Sequence, residues 1–136
     1  MSTNNRIVSI IDDDFYITKT FDEALRENID GISIFSFNDP VIALEHFTEN
    51  KGNYALVISD LRMPGLNGLE LLKKVKTLNP NVRTILMSAY NFEEEELYQE
   101  YMMETVINST IAKPVTIERL FQIVREELEA QLNVHV

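Results

Sequence analysis

The chain predicts a doubly wound α/β fold: a five-stranded parallel sheet in the order 2-1-3-4-5, with five helices over its two faces. Three observations carry this. Short apolar runs alternate with segments of helical periodicity five times along 136 residues. The runs are near-continuous rather than strictly alternating, the pattern of strands buried on both faces. The connections are short, and right-handed crossovers then leave few topologies. The stated order sets the first and third strands side by side at the switch point, where Asp13 and Asp60 would meet.

The elements follow in order. Residues 6–11 read as the first strand. Residues 15–29 carry Ile17, Phe21, Ala24, Leu25 and Asn28 or Ile29 at helical spacing, and Gly31 breaks that helix. Residues 32–37 form a second strand with some alternation. Asp39-Pro40 reads as an N-cap and first helical residue for a helix over 41–50, ended by Gly52. Residues 54–59 are the third strand. Residues 61–66, with Pro64 and Gly65, are a loop. Asn67-x-x-Glu70 has capping-box spacing and opens a helix that runs to Leu78, where Asn79-Pro80 stops it. Residues 82–87 are the fourth strand. Asn91-x-x-Glu94 opens the fourth helix by the same logic, with the acidic run 93–96 at the positive end of its dipole. Residues 106–112 are the fifth strand. Thr116 caps a last helix with Ile117, Leu120, Phe121, Val124 and Leu128 on one face. No repeat, low-complexity segment or linker interrupts the pattern, so residues 1–136 read as one domain with its core at about 6–128 and flexible termini.

Composition bounds the function. The chain is 45% hydrophobic and 25% charged, ordinary for a globular domain. No apolar run approaches the ~20 residues of a membrane span, and the first residues lack the apolar stretch of a signal peptide. A cytoplasmic setting without membrane contact is the expectation. The absence of cysteine excludes disulfides, thiolate catalysis and Cys-ligated zinc. A net charge of −10 argues against nucleic acid as a direct partner.

The chemistry gathers at the carboxyl ends of the strands, the ligand crevice of an open α/β sheet. Asp12-Asp13-Asp14 follows the first strand, Asp60 the third, Ser88 the fourth and Lys113-Pro114 the fifth. Carboxylates crowded in one crevice repel, and a divalent cation removes the conflict. Oxygen donors without His or Cys suit Mg²⁺, or Mn²⁺, rather than zinc. A carboxylate such as Asp60 could then attack phosphorus to give an aspartyl phosphate, with Lys113 neutralising charge on the transferred group. Asp14 is more readily an N-cap of the first helix.

Four blocks carry a family resemblance: Ile10-Ile11-Asp12-Asp13-Asp14, Ser59-Asp60-Leu61-Arg62-Met63-Pro64-Gly65-Leu66-Asn67-Gly68, Met87-Ser88-Ala89-Tyr90, and Lys113-Pro114. Together they resemble the receiver domain of two-component response regulators, over roughly residues 6–128. The resemblance implies a flavodoxin-like fold and a phosphoacceptor at Asp60. It implies metal ligation by Asp13 directly, by Asp12 through water or indirectly, by Asp60, and by the backbone carbonyl of Arg62. Ser88, with Ala89 beside it, would occupy the Ser/Thr switch position and Lys113 would pair with the phosphoryl group. The Lys113–Pro114 bond would be cis. The implied phosphodonor is a histidine kinase, a phosphotransfer protein or a small phosphorylated molecule. The implied response is repacking of the face made by helix 4, strand 5 and helix 5, which could also serve a homodimer. Catalysis is expected only on the chain itself.

The sequence departs from the family at three points. Thr110 stands where an aromatic switch is usual. The stretch from Ser88 to Lys113 is a few residues longer than usual, and the glycine that ends helix 4 is replaced within Met103-Glu104-Thr105-Val106, so an extended or re-routed helix 4 is expected. Arg62 and Tyr90 are bulky at positions flanking the path of the attacking water, so slow self-dephosphorylation is expected. Two rival functions stay open. One is a pseudo-receiver that docks or dimerises without switching. The weaker is a phosphatase of the haloacid dehalogenase kind, which needs an acid where Arg62 stands. Whether the chain stands alone or belongs to a longer regulator is open, as are its output partner and oligomeric state. His46 and His135 read as packing or solvent-facing residues. The cluster of Tyr98, Tyr101, Met102 and Met103 is divided between core and a partner surface.

Overall fold

A computed structural model of the chain describes residues 6–89, 96–104 and 106–133, without the side chains of 97, 98, 101 and 102. The elements are β1 (Arg6–Ile11), α1 (Phe15–Asn28), β2 (Ile32–Phe37), α2 (Pro40–Asn50), a 3₁₀ turn (Lys51–Asn53), β3 (Tyr54–Asp60), α3 (Gly68–Leu78), β4 (Arg83–Ser88), α4 (Glu96–Met103), β5 (Ser109–Ala112) and α5 (Ile117–Asn133). The strands form one sheet in the order β2-β1-β3-β4-β5, with every neighbouring pair parallel.

Strand alternation divides the core into two layers. Val8, Ile10, Ile58, Ile85, Met87 and Ile111 face Phe21 and Leu25 of α1 and Leu120 and Val124 of α5. Ile7, Ile11, Val57 and Leu86 face Phe47 of α2 and Leu71, Leu72 and Val75 of α3. Each fully buried aliphatic side chain stabilises this arrangement by about 2 kcal/mol. A one-residue slip of any strand would exchange the two layers and carry the polar residues at its end away from their partners.

The helix starts obey local chemistry. The Asp14 side chain accepts from the Tyr16 N–H, and Asp39 accepts from Val41 N–H with Pro40 in the first turn. Asn67 and Glu70 form a reciprocal capping box. Thr116 Oγ1 accepts from the Arg119 N–H at 3.1 Å. His46 is a packing residue: its ring lies against Phe35 and Phe37, and its Nδ1 is 2.6 Å from the Tyr54 hydroxyl. His135 lies outside the described residues.

One expectation needs correction. The fifth strand was expected over 106–112, yet β5 begins at Ser109. Val106 and Ile107 are buried as a strand would be, but side chains have replaced the ladder there. Thr84 Oγ1 donates to the Val106 carbonyl at 2.6 Å, and the Thr84 N–H donates to Asn108 Oδ1 at 3.0 Å. These bonds between segments 22 and 24 residues apart take the place of regular pairing at the start of the strand. Helix α4 closes at Met103, where the Glu104 N–H still reaches the Glu100 carbonyl at 3.0 Å. The expectation of an extended or re-routed helix 4 turns on its opening at Asn91-x-x-Glu94, which lies outside the described residues. Met103 is 87% exposed, while the side chains of Tyr98, Tyr101 and Met102 are outside the description.

Gly68 opens α3 directly beneath the end of β3. A Cβ there would lie 2.2 Å from the Asp60 carbonyl oxygen and 3.0 Å from Leu86 Cδ1. Gly68→Ala is predicted to lower unfolding free energy by about 2 kcal/mol, measured by urea denaturation; an unchanged midpoint would show that α3 is free to shift.

Candidate functional site

Pairing register delivers the site. Ile11 of β1 sits opposite Ser59 of β3, so the residues that follow each, Asp12 and Asp60, emerge side by side. Asp60 is level with Met87, and Ser88 with Ala112, which brings the end of β4 and Lys113 after β5 to the same edge. The Lys113 N–H donates to the Ser88 carbonyl at 3.0 Å. The following Lys113–Pro114 peptide bond is cis.

Lys113 Nζ then lies 2.9 Å from Asp12 Oδ2 and 3.0 Å from Asp60 Oδ1. Asp12 is 1% exposed and Asp60 is 8% exposed, so a single ammonium partners two carboxylates largely removed from water. The second oxygen of Asp12 accepts from the Asp14 N–H at 2.9 Å. Asp13 is exposed at the mouth, and its carboxylate, with those of Asp12 and Asp60, offers oxygens that all lie within 4.8 Å of one another.

Burial raises the affinity of Asp60 for a proton. The Lys113 hydrogen bond opposes this, the charge of Asp12 adds to it, and the net direction is upward. For Lys113, burial pulls the amine down, but hydrogen bonds to Asp12 and Asp60 and the two negative charges outweigh it, and the net direction is upward. The pocket therefore holds more negative charge than one ammonium balances. Oxygen-only donors, one at the mouth and two within, fit a hard divalent cation such as Mg²⁺.

The remaining expected site residues lie around this centre. Arg62, Ser88 and Ala89 line, with Asp60 and Lys113, a cavity of about 380 Å³. Ser88 is buried, and Arg62 is exposed on the loop after β3. Thr110 is half-buried on β5, and alternation with Ile111 turns it toward the α2–α3 side of the sheet. Tyr90 lies outside the described residues. Asp14 is the α1 cap and does not belong to the acidic cluster.

Two contributors escaped the sequence reading. Asn38 Nδ2 donates to the Asp12 carbonyl at 2.8 Å and to Thr18 Oγ1 at 3.0 Å, stitching the acidic loop to the end of β2. Nothing in its spacing distinguishes it from a turn residue. An apolar cleft of about 490 Å³, lined among others by Tyr16, Ile17, Phe21, Lys113 and Pro114, adjoins the site. The aromatic Tyr16, exposed at a helix start, is the signal that could have found it.

The raised proton affinity of Asp60 has a consequence for stability. Between the ordinary carboxylate value of 3.8 and the raised one, the folded state holds more protons than the unfolded state. Stability without divalent cation must then fall as pH rises through that window. Asp60→Asn is predicted to be more stable than the parent protein at pH 7 in EDTA, with the difference closing as pH is lowered toward 3.8. Urea midpoints at both pH values check this; a less stable variant at pH 7 would mean that the Lys113 pairing outweighs the burial of Asp60.

Residues 8–125 match the family model of the response regulator receiver domain. Among curated proteins, the chain is 30% identical over 129 residues to sporulation initiation phosphotransferase F of Bacillus subtilis, covering 95% of this chain and 98% of that one. Among solved structures, a response regulator receiver domain protein from Clostridium thermocellum superposes with a TM-score of 0.82 at 23% identity, over 95% of this chain and 98% of that one. The response regulator TrrA from Thermotoga maritima, solved in complex with Mg²⁺-BeF, superposes with a TM-score of 0.74 at 25% identity, over 90% of this chain and 98% of that one. With its strand order, its acidic cluster and a family match over most of its length, the chain belongs to the response regulator receiver domains of two-component systems.

Proposed function

We propose that the chain is a phosphorylation-driven signalling switch whose phosphoacceptor is Asp60. The observation that carries this is the placement of Lys113 between Asp12 and Asp60, with Asp13 beside them, at the mouth of a cavity that Ser88 also lines. An ionised Asp60 oxygen attacks phosphorus, a new O–P bond forms, and the bond to the donor's leaving group breaks with its electron pair. Mg²⁺ held by Asp13, Asp60 and the Arg62 carbonyl, with Asp12 behind it, would spread the charge of the phosphoryl oxygens and align the donor. Mn²⁺ suits the same donors, but nothing beyond the donor type supports it. Lys113 releases one carboxylate and follows the new anion. Ser88 offers a hydroxyl and Ala89 the adjoining backbone.

The donor is read as a histidine kinase, a phosphotransfer protein or a small phosphorylated molecule; the phosphotransferase relative from Bacillus subtilis supports the first two. Phe15 at 65% exposure and Tyr16 at 80% supply an apolar landing surface beside the site. The output is a repacking of the α4–β5–α5 face, with Thr110 in place of a swinging ring. A second reading, docking without switching, is favoured by Thr110 alone.

Incubation with Mg²⁺ and acetyl phosphate is predicted to add one phosphoryl group by intact mass, and Asp60→Asn to add none. An adduct that persists in Asp60→Asn would remove the assignment. An adduct without any change in solution size or in amide exchange of β5 and α5 would favour the docking reading. Arg62 lines the cavity beside Asp60, and Tyr90 is a bulky residue two positions after Ser88 in sequence. Replacing both with small residues is predicted to speed loss of the phosphoryl group about tenfold, equivalent to ~1.4 kcal/mol of barrier. Unchanged decay would show that neither side chain shields it.

A further inference from the structure

We propose that the Lys76 amine is a modification site for small acyl phosphates, which transfer their acyl group to its Nζ. This assignment is independent of the chemistry at Asp60. Lys76 lies in the last turns of α3, near Arg83 at the start of β4, and so at the far end of the sheet from Asp60. It is half-buried and lines a cavity of about 190 Å³ with Lys73, Thr77, Pro80, Glu104 and Val106.

The neighbouring carboxylates are committed to other cations. Glu104 pairs with Lys73 at 3.3 Å. Glu127 pairs with Arg83 at 2.6 Å and also accepts from the Ser109 hydroxyl. Among the described residues, no carboxylate lies within ion-pair distance of Lys76. Burial, followed by the charge of Arg83, pulls its amine down to about 8, with Glu127 offsetting this only in part. An amine desolvated beside a second cation is the activated form of a lysine nucleophile.

The surroundings select the donor. The cavity is too small for a bulky carrier but admits an acyl group of a few carbons. Lys73, an ammonium lining the cavity, is placed to meet a phosphate leaving group in competition with Glu104. The Nζ lone pair attacks the carbonyl carbon, the bond from that carbon to the phosphate oxygen breaks, phosphate departs with the electron pair, and the amine loses a proton to water. The product amide is uncharged, which removes both the burial cost of an ammonium and its repulsion with Arg83.

The test uses the full chain in EDTA, so that Asp60 stays unmodified, with acetyl phosphate at pH 8 and timed peptide mass spectrometry. Lys74, exposed on the same helix, is the internal reference. Lys76 is expected to be acetylated at least tenfold faster than Lys74: roughly half of an amine titrating near 8 is unprotonated there against well under a hundredth of an ordinary lysine, and the lower nucleophilicity of the weaker base takes back only part of that ratio. Lys76→Arg should lose that adduct and leave the Lys74 rate unchanged. Equal rates at Lys74 and Lys76 would overturn the site. Selectivity for Lys76 with acetic anhydride but not with acetyl phosphate would overturn the donor class.

Discussion

A single ammonium between two buried carboxylates is the constraint on which the molecule turns. Asp12, Asp60 and Lys113 arrive from the ends of three different strands, and their contacts of 2.9 and 3.0 Å cross-link β1, β3 and β5. A buried charge left without its partner costs several kcal/mol, so the register of the sheet and the site enforce each other. Gly68 belongs to the same constraint: its bare Cα lets the start of α3 pass under the Asp60 carbonyl. Lys113 pairs with only two of the three clustered carboxylates, and Asp13 stands at the mouth with them. Three oxygen donors held this close suit a site that receives a divalent ion and an anionic phosphoryl group together.

The two ends of the sheet use polar groups differently. At the carboxyl end they converge on solvent and leave space. At the amino end they are closed on one another beneath α5. Arg83 and Ser109 both bind the Glu127 carboxylate, while Arg6 Nη2 reaches the Leu128 carbonyl and Gln131 Oε1, each at 2.8 Å. Glu127 and Gln131 are buried polar residues on the inner face of α5. Truncating such a paired group strands its partner, so the network ties α5 to β1, β4 and β5 specifically. Any response passing through the β5–α5 face moves against this anchor.

Most of the fold was legible because local signals agreed with the global pattern. Strands 1 and 2 are read correctly to the residue, and helices 1 to 3 within one, since Asp14, Asp39 and Asn67 mark their starts chemically. The convergence of Asp12, Asp60 and Lys113 was legible because parallel strands place their carboxyl ends at one edge. What escaped depends on pairing between distant segments. Apolar character over 106–112 suggests a full strand, but Thr84 and Asn108 divert the backbone bonds at its start. Periodicity places apolar Ile117 and Phe121 on the inner face of the last helix, yet the deeper positions include Glu127 and Gln131, whose burial depends on Arg83 and Arg6. Asn38 could not be found from sequence, because its role is to reach a carbonyl 26 residues away in the chain.

The most direct test of the account is a calorimetric Mg²⁺ titration of the intact chain beside Asp13→Asn and Asp60→Asn. Shared coordination at the mouth of the pocket predicts one binding event in the parent protein that both substitutions weaken or abolish. Isotherms that match the parent in both variants would place the cation elsewhere and contradict the assignment of this acidic edge.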